Sequence, residues 1–267
     1  MKSLSGLMDL NGRKALVTGG AGHIALAVEE ALVELGAATS VLDVDKKACE
    51  ERVQALSHHS NSSGFAIPCD LRDEGATRSA IRQGIDQMGG LDILVHCAAF
   101  GGTTQYPGWA VPFEEQSVDA WNAALSVNLT AAFVMVQEAK DALAASGHGS
   151  VILFASIYGI GGPDMGLYEG TEMANPAGYG ASKGGLIQLT RYLATILAPR
   201  IRVNAISPGG VWRDQPQAFH QRYVARTPMG RMAAEQDLKG AVAYLSSDLS
   251  EYVTGHNLVV DGGWTAW

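Results

Sequence analysis

The stretch KALVTGGAGHIALAVEEALVELG, residues 14–36, decides the fold class of this chain. Its first five residues, 14–18, predict a short buried strand, and a glycine-rich turn from Gly19 to Gly22 follows at once. Residues 24–35 are then apolar at helical spacing and end at a glycine. In this order the turn presents backbone N–H groups at a helix N-terminus, an arrangement that binds phosphate groups.

An acidic residue ends the next predicted strand. Residues 39–42 form this strand and Asp43 follows it, 24 positions after Gly19, which is near the spacing at which a carboxylate accepts hydrogen bonds from an adenosine ribose. Asp43 can also simply start a turn, but in this order and at this spacing a dinucleotide is favoured. A carboxylate here repels a 2′-phosphate, and Val44 adds no positive charge, so we expect NAD as the cofactor rather than NADP.

The alternation of strands and helices continues to the C-terminus. Further strands are predicted at 64–68, 91–96, 150–155, 202–207 and 257–260, and further helices at 73–88, 117–145, 179–198 and 234–246. This order implies an α/β, doubly wound Rossmann fold, with a mostly parallel seven-stranded sheet and helices on both of its faces. We find neither a linker nor an internal repeat, so residues 1–267 are predicted to form a single domain.

Composition restricts the possible functions. The chain has 267 residues, 47% of them hydrophobic and 17% charged, as in ordinary globular proteins. Its net charge of -8 counts against nucleic-acid binding, because 19 scattered Lys and Arg residues assemble no basic face. We find no apolar run long enough to span a bilayer, no secretion signal, and no metal-ligand spacing among the three cysteines. We therefore expect a cytoplasmic protein that binds no membrane and no metal.

A candidate catalytic pair lies in the second half of the chain. Tyr179 and Lys183 are four positions apart, so on a helix they share one face, one turn apart. An ammonium at this distance favours the phenolate, and the pair can then exchange a proton with a substrate oxygen. Taken alone, the pair is more often a solvated helix face, because Tyr and Lys four apart occur by chance in many helices.

The other unusual residues strengthen the functional interpretation because they follow the predicted strands. In a doubly wound sheet, ligands bind beyond the carboxyl ends of the strands, where the strand order reverses. The residues at these ends are the glycine turn, Asp43, Asp70, Cys97, Ala98, Ala99, Ser156, Pro208 and Gly209. Without a common site, such residues would be scattered over both edges of the sheet.

From Lys14 to its C-terminus the chain resembles the short-chain dehydrogenase/reductase family, whose pattern pairs Tyr-x-x-x-Lys with an upstream Ser. The resemblance implies that Tyr179 donates or accepts a proton. It also implies that Lys183 lowers the pKa of this tyrosine and binds the nicotinamide ribose, and that Ser156 hydrogen-bonds the reacting oxygen. Asn128 resembles the helix Asn that holds a water in the proton relay.

The same resemblance, together with the glycine turn and Asp43, assigns the cofactor-binding residues. Asp70 and Leu71 match an adenine contact, and Pro208 and Gly209 match the turn beside the nicotinamide. The full expected set is Gly19, Gly22, His23, Ile24, Asp43, Asp70, Leu71, Ala98, Tyr179, Lys183, Pro208, Gly209 and Val211.

The chain departs from the family pattern in three places. His23 and Ala25 replace the last two glycines of the turn; His23 can donate to the diphosphate or only cover the adenine side, while Ala25 still permits close packing. Residues 96–99 replace Asn-Asn-Ala-Gly, so we expect backbone contacts to survive there and side-chain contacts to neighbouring strands to be lost. The Thr that the family usually has after Pro-Gly is missing from residues 210–213. We therefore expect weaker binding of the nicotinamide carboxamide.

Ser156 and Tyr179 are 23 positions apart, more than the family commonly shows. The insertion, residues 157–178, lies over or beside the substrate, or forms a surface or subunit-contact loop; the sequence leaves both open. We expect it to line the pocket with the loop 100–112 and a substrate lid at about 210–228. Aromatic and charged residues that these segments contribute are Tyr106, Trp109, Tyr168, Trp212, Phe219, Tyr223, Arg213, Arg222, Arg226, His220, Asp164 and Glu169.

A pocket wall that mixes aromatic and charged side chains suits a hydroxylated or phosphorylated substrate better than a steroid or a long acyl chain. A basic residue of the lid can also pair with a phosphate or carboxylate. The blocks 19–23, 168–171 and 262–267 resemble bacterial family members associated with sugar metabolism. We therefore expect an NAD-dependent oxidoreductase that interconverts a secondary alcohol and a ketone on a sugar or sugar phosphate. The alternatives are a 3-oxoacyl-thioester reductase and a catalytically silent dinucleotide-binding protein.

The C-terminal tail carries two tryptophans, Trp264 and Trp267. An apolar tail in water is unfavourable, so it is buried in a subunit contact or folded over its own substrate pocket. The family resemblance implies a homotetramer or homodimer built through the helices that begin near Ser117 and Tyr179.

Overall fold

The computed structural model describes residues 1–57, 64–101 and 104–267. Within these residues the chain forms a seven-stranded sheet in which every pair of neighbouring strands is parallel. The strands are β1 (Lys14–Thr18), β2 (Ala38–Asp43), β3 (Ala66–Pro68), β4 (Ile93–His96), β5 (Gly149–Phe154), β6 (Ile201–Pro208) and β7 (Asn257–Val260). Their order in the sheet is β3-β2-β1-β4-β5-β6-β7, so the chain winds outward in both directions from β1 and β4. This confirms the doubly wound Rossmann fold.

Helices cover both faces of the sheet. They are α1 (Leu4–Met8), α2 (His23–Glu34), α3 (Lys46–Leu56), α4 (Glu74–Met88), α5 (Val118–Leu125), α6 (Ala131–Ser146), α7 (Ala177–Leu197), α8 (Gln217–Arg226) and α9 (Lys239–Ser246). The sequence did not predict α1, α3 or α8. In α3 only Cys49 and Leu56 are buried, so its apolar pattern is too sparse to identify a helix.

Strand β1 shows how the core divides between the two faces. Leu16 packs with residues of α4, α6 and α7 in one apolar cluster, whereas Ala15 and Val17 pack with residues of α2 and α9 in the other. Successive strand residues point to opposite faces, and both faces are covered by helices, so the strand is apolar throughout.

The predicted helix 117–145 is interrupted in its middle. Between α5 and α6 the segment Ser126–Thr130 forms one π-helical turn, in which the N–H of Ala131 donates to the carbonyl of Ser126. Such a turn widens the helix and changes the direction of its carbonyl groups. Asn128, one of the predicted site residues, lies in this turn.

Across the ranges that the structure describes, no helix combines the length and the hydropathy that crossing a bilayer requires.

Candidate active site

A cavity of about 710 Å³ opens along the carboxyl edge of the sheet. The residues that follow the strands meet in its wall, as predicted, including Gly19, Asp43, Asp70, Ala98, Ser156, Pro208 and Gly209. Tyr179 and Lys183 also line it, from the first turns of α7. Of the predicted site residues, Asn128 is the one that lies behind the wall rather than in it.

Lys183 is almost fully buried at the base of the cavity. Its Nζ donates a hydrogen bond of 2.7 Å to the carbonyl of Phe154, the last residue of β5, and lies 5.7 Å from the centre of the Tyr179 ring. Burial lowers the pKa of Lys183 to about 8, because an ammonium loses its hydration in the protein interior. The amino group is therefore close to the phenol and poised to change its charge near neutral pH.

The pKa of Tyr179 is raised in the structure, whereas the sequence predicts a lowered one. Burial of the phenol is the main cause, and it outweighs two opposing effects: a hydrogen bond with the Ser156 side chain and the positive charge of Arg213. The Lys183 ammonium donates to the Phe154 carbonyl and is not among the groups that shift the pKa of this phenol. The neutral phenol is the favoured form, and a neutral phenol in a cavity wall can donate a proton.

The side chain of Asn128 is fully buried and holds the loop after β4 against α7. Its Oδ1 accepts from the N–H of Phe100 at 2.6 Å, and its Nδ2 donates to the carbonyl of Phe100 at 3.3 Å and to Oγ of Ser182 at 2.9 Å. The Ser182 hydroxyl in turn donates to the carbonyl of Tyr179 at 2.8 Å. Both amide hydrogens are therefore occupied, and one of these bonds connects Asn128 through Ser182 to the backbone of Tyr179.

His96 retains side-chain contacts that the sequence analysis expects to be lost. Its Nδ1 lies 2.8 Å from Oγ1 of Thr18 in β1, and its Nε2 lies 3.2 Å from the carbonyl oxygen of Asn128. Burial lowers the pKa of His96 to about 3, so the ring is neutral. Because a carbonyl can only accept, Nε2 carries the proton and Nδ1 accepts from the Thr18 hydroxyl. The prediction is wrong because an imidazole reaches across to the neighbouring strand and also to the π-helical turn.

The glycine turn and α2 fit a diphosphate. Gly19 has a φ of +66°, and a Cβ there would lie 2.5 Å from the Cα of Ala98, so a side chain has no room. Gly22 precedes α2 without a side-chain cap, and the first turn of α2 contains no acidic residue. The first turn of α2, whose residues His23, Ile24 and Ala25 line the cavity, therefore carries no carboxylate of its own, which suits an anionic ligand.

A buried ion pair supports this turn from below, and the sequence analysis missed it. Arg52 of α3 donates to Oε2 of Glu29 at 2.8 Å and to the carbonyl of Ala21 at 3.3 Å. Burial raises the pKa of Glu29, and Arg52 opposes this effect. The carboxylate of Asp43 also binds the turn, because its Oδ2 accepts a hydrogen bond from the N–H of Ala21 at 3.1 Å. The signal available in the sequence was Glu29 itself, a charged residue on the apolar face of α2.

The insertion and the lid together form the outer wall of the cavity. Tyr158, Tyr168, Met173 and Asn175 line it from the insertion, and Arg213, Gln215, Phe219 and Tyr223 line it from the lid. The insertion therefore lies beside the pocket, the first of its two predicted placements. The loop after β4 contributes Phe100, Gly101 and Thr104, while its residues 102 and 103 lie outside the described part of the chain.

Eight of the residues expected in the pocket do not line the cavity: Tyr106, Trp109, Trp212, His220, Arg222, Arg226, Asp164 and Glu169. Their own contacts explain it. Trp109 is buried beside Phe100 and donates to the carbonyl of Gly101 at 2.7 Å. Arg222 donates to the carbonyls of Leu167 and Glu169.

The lid, the insertion and the C-terminal tail are joined by one group of contacts. Arg226 forms an ion pair with Asp164 of the insertion and lies over the ring of Trp264, 5.0 Å from its centre. The Trp264 ring stacks on Tyr223 with 4.3 Å between ring centres and 12° between planes. The tail thus folds onto its own lid up to Trp264, while Trp267 remains 75% exposed.

Known proteins resemble this chain over nearly its full length. The sequence model of a family described as Enoyl-(Acyl carrier protein) reductase matches residues 19–265. The 2-dehydro-3-deoxy-D-gluconate 5-dehydrogenase of Pseudoalteromonas atlantica is 33% identical, with 96% of this chain and 97% of that protein covered. The 3-oxoacyl-(acyl-carrier-protein) reductase FabG of Escherichia coli is 31% identical, with 96% and 98% covered.

A solved structure gives the same result for the fold. The gluconate 5-dehydrogenase of Burkholderia cenocepacia, in complex with NADP and tartrate, superposes with a TM-score of 0.87 at 27% identity and covers 99% of this chain and 100% of its own. With the parallel sheet, the glycine turn and the Tyr179–Lys183 helix already described, these matches show that the chain is an oxidoreductase that belongs to the short-chain dehydrogenase/reductase family, whose members bind NAD or NADP.

Proposed function

We propose that the protein interconverts a secondary alcohol and a ketone on a sugar or sugar-phosphate type of substrate, with NAD as its cofactor. The observation that carries this proposal is the meeting of Ser156, Tyr179 and Lys183 in one cavity wall, with Nζ of Lys183 5.7 Å from the centre of the Tyr179 ring. Hydride transfer between carbon atoms needs a proton to leave or reach the oxygen at the same time, and this group supplies it.

In the reduction direction the neutral phenol of Tyr179 donates its proton to the ketone oxygen, which the Ser156 hydroxyl holds by a second hydrogen bond. A nicotinamide held by the cofactor-binding residues would supply or accept the hydride. The ammonium of Lys183 stabilises the phenolate that remains, and it would also contact the nicotinamide ribose. In the oxidation direction the phenolate accepts the proton of the substrate hydroxyl. The raised pKa of Tyr179 in the protein without ligands favours the form that starts the reduction.

The preference for NAD rests on Asp43. Its carboxylate lines the cavity at the end of β2 and is held by the N–H groups of Ala21 and Val44. In this position it would accept from a free ribose 2′-hydroxyl and repel a 2′-phosphate. The gluconate 5-dehydrogenase with bound NADP is a relative with the other cofactor, so kcat/KM for NAD and NADP must be measured separately.

A hydroxylated substrate is supported by the uncharged polar groups of the insertion. The hydroxyls of Tyr158 and Tyr168 lie 2.9 Å apart, and Nδ2 of Asn175 donates to the Tyr168 hydroxyl at 3.2 Å. Such a cluster offers donors and acceptors for the hydroxyls of a sugar. The two relatives that act on gluconate derivatives, by their names, support the same substrate class.

The second candidate function is reduction of a 3-oxoacyl thioester. It is favoured by the 31% identity to FabG and by the aromatic wall that Phe219 and Tyr223 form in the cavity. The polar cluster in the insertion and the arginine in the lid count against it, because a simple acyl chain has no polar group with which they could form a hydrogen bond.

One experiment tests these alternatives. The purified protein is offered polyols, sugar acids and sugar phosphates with NAD and NADP, and 3-oxoacyl thioesters with NADH and NADPH, while the absorbance of the reduced cofactor is followed. We expect turnover of a polyhydroxylated substrate with NAD. Turnover confined to the thioesters would contradict the proposal.

We propose further that the enzyme acts in the cytoplasm as a homotetramer or homodimer. Large apolar side chains are exposed on the helices that the resemblance assigns to the subunit contact, including Trp121 on α5 and Tyr192 and Ile196 on α7. Light scattering of the purified protein tests this, and a monomer at micromolar concentration would contradict it.

A further inference from the structure

The lid contains three arginines that the sequence could not distinguish: Arg213, Arg222 and Arg226. Arg222 donates to two backbone carbonyls of the insertion, and Arg226 pairs with Asp164 and covers Trp264. Arg213 alone among the three lines the cavity. The structure therefore reduces three candidate anion-binding residues to one.

The charges around the cavity are divided unevenly. Its described lining contains two carboxylates, Asp43 and Asp70, and both lie at the ends of β2 and β3, where the adenosine would bind. The wall formed by the insertion and the lid contains Arg213 and no carboxylate among the described residues. Arg213 therefore supplies the charge in the part of the described lining that the insertion and the lid form.

Arg213 is held in place but is only weakly paired. Its N–H donates to Oε1 of Gln215 at 2.8 Å, and Nε2 of Gln215 donates back to the carbonyl of Val211 at 2.8 Å. Its guanidinium lies 3.7 Å from Oε1 of Glu235, and both side chains are partly exposed. By contrast Arg231, nearby in the sequence, makes two short bonds to Asp237, at 2.6 and 2.9 Å.

Arg213 and the reacting phenol of Tyr179 line the same cavity. We propose that Arg213 binds an anionic group of the substrate, so that the enzyme acts on an acidic sugar derivative in which a carboxylate or a phosphate accompanies the reacting hydroxyl. The planar guanidinium of an arginine can donate two parallel hydrogen bonds to a carboxylate or to a phosphate. This inference rests on the proposed function and specifies its substrate.

The test compares matched substrates that differ in charge. D-Gluconate and D-glucitol 6-phosphate are each compared with D-glucitol, using kcat/KM with NAD for the wild type and for Arg213→Gln and Arg213→Lys. We expect the wild type to prefer an anionic substrate and Arg213→Gln to reduce that preference by ~10- to 100-fold, the effect of losing a charged hydrogen bond. Arg213→Lys should retain part of it. The preferred anion tells a carboxylate site from a phosphate site.

Two further variants sharpen the result. Arg231→Gln, outside the cavity, removes an arginine of the same region and should leave the preference unchanged. Glu235→Gln removes the carboxylate that competes for Arg213 and should lower KM for the anionic substrate. An equal preference in the wild type and Arg213→Gln would overturn the inference. So would a loss of NAD affinity in Arg213→Gln with the substrate preference intact, because Arg213 would then bind the diphosphate of the cofactor.

A binding measurement separates the two proposals. D-Gluconate and inorganic phosphate are titrated by calorimetry into the NADH-saturated protein and its Arg213→Gln variant. If no sugar derivative is turned over, the proposed function fails, and the titration still decides the role of Arg213. Anion binding that is lost in Arg213→Gln supports the site, and binding that is unaffected overturns it.

Discussion

Two regions enclose the cavity, and they are built in different ways. The floor consists of the strand ends and the first turns of α7, with His96, Asn128, Ser156 and Lys183 all buried. The cap consists of the insertion 157–178, the lid 210–228 and the tail 261–267. In the floor, buried polar side chains form hydrogen bonds with other buried groups. The cap is joined by a half-exposed ion pair and stacked aromatic rings.

The difference separates chemistry from selectivity. A change in the floor leaves a buried donor or acceptor without a partner, which is costly and affects the support of Tyr179. A change in the cap alters contacts that water can replace. Proteins that share the same floor can therefore differ in their substrates through changes in the cap. Five predictions test this comparison, in decreasing order of the expected effect.

Replacing Tyr179 by Phe removes the proton donor and should lower kcat by ~10²- to 10⁴-fold, the usual contribution of general acid–base catalysis. The affinity for NAD, measured by fluorescence titration, should change little, because the ring remains. Tyr252→Phe is the control: Tyr252 is fully exposed, lies outside the cavity lining, and its variant should show wild-type kinetics. Unchanged turnover in Tyr179→Phe would refute the mechanism.

Replacing His96 by Leu breaks the link between β1, β4 and the π-helical turn. The Thr18 hydroxyl and the Asn128 carbonyl lose their partner, and we expect a loss of ~1–3 kcal/mol in the free energy of unfolding at pH 7. Urea unfolding measures it. A variant as stable as the wild type would show that these contacts contribute nothing.

The same residue gives the floor a pH dependence. The pKa of His96 is about 3 in the fold and 6.5 as its ordinary value, so between these pH values the unfolded chain binds more protons. The wild type should therefore lose stability as pH falls from 6.5 towards 3, and His96 should account for about 2 kcal/mol of the loss by pH 5. His96→Leu should lack this part of the acid sensitivity. Parallel pH profiles of the two proteins would contradict the prediction.

Asp43 provides a smaller test, confined to one end of the floor. Asp43→Ala removes the charge that repels a 2′-phosphate, and the ratio of kcat/KM for NAD to that for NADP should fall by at least ~10-fold, equivalent to about 1.4 kcal/mol. Steady-state kinetics with both cofactors measures the ratio. A constant ratio would mean that another group selects the cofactor.

The ion pair of the cap should have the smallest effect. A double-mutant cycle with Arg226→Gln and Asp164→Asn should give a coupling energy of about 0.2–1 kcal/mol in thermal or urea unfolding, as for other exposed pairs. Because the pair joins the lid to the insertion, KM should change more than kcat. A coupling energy as large as the loss in the free energy of unfolding caused by His96→Leu would contradict the distinction between floor and cap.

The sequence located the floor well and the cap poorly. The buried strands read as apolar runs, and their observed ends differ from the predicted ones by about one or two residues, as at β5 and β6. The pairing of Tyr179 and Lys183 needs only helical spacing, so it too was predictable. Arg213, Arg222 and Arg226 look alike in the sequence, because their roles depend on partners that local patterns do not reveal.

By itself, then, the sequence determined the doubly wound fold, the sheet edge that carries the site, and the residues gathered there. Only the tertiary structure decided which arginine faces the cavity, that His96 bonds to Thr18 across 78 positions, and that burial raises the pKa of Tyr179. The reason is physical: periodicity and turn chemistry act between near neighbours, whereas burial and hydrogen-bond partners are set by segments far apart in the chain.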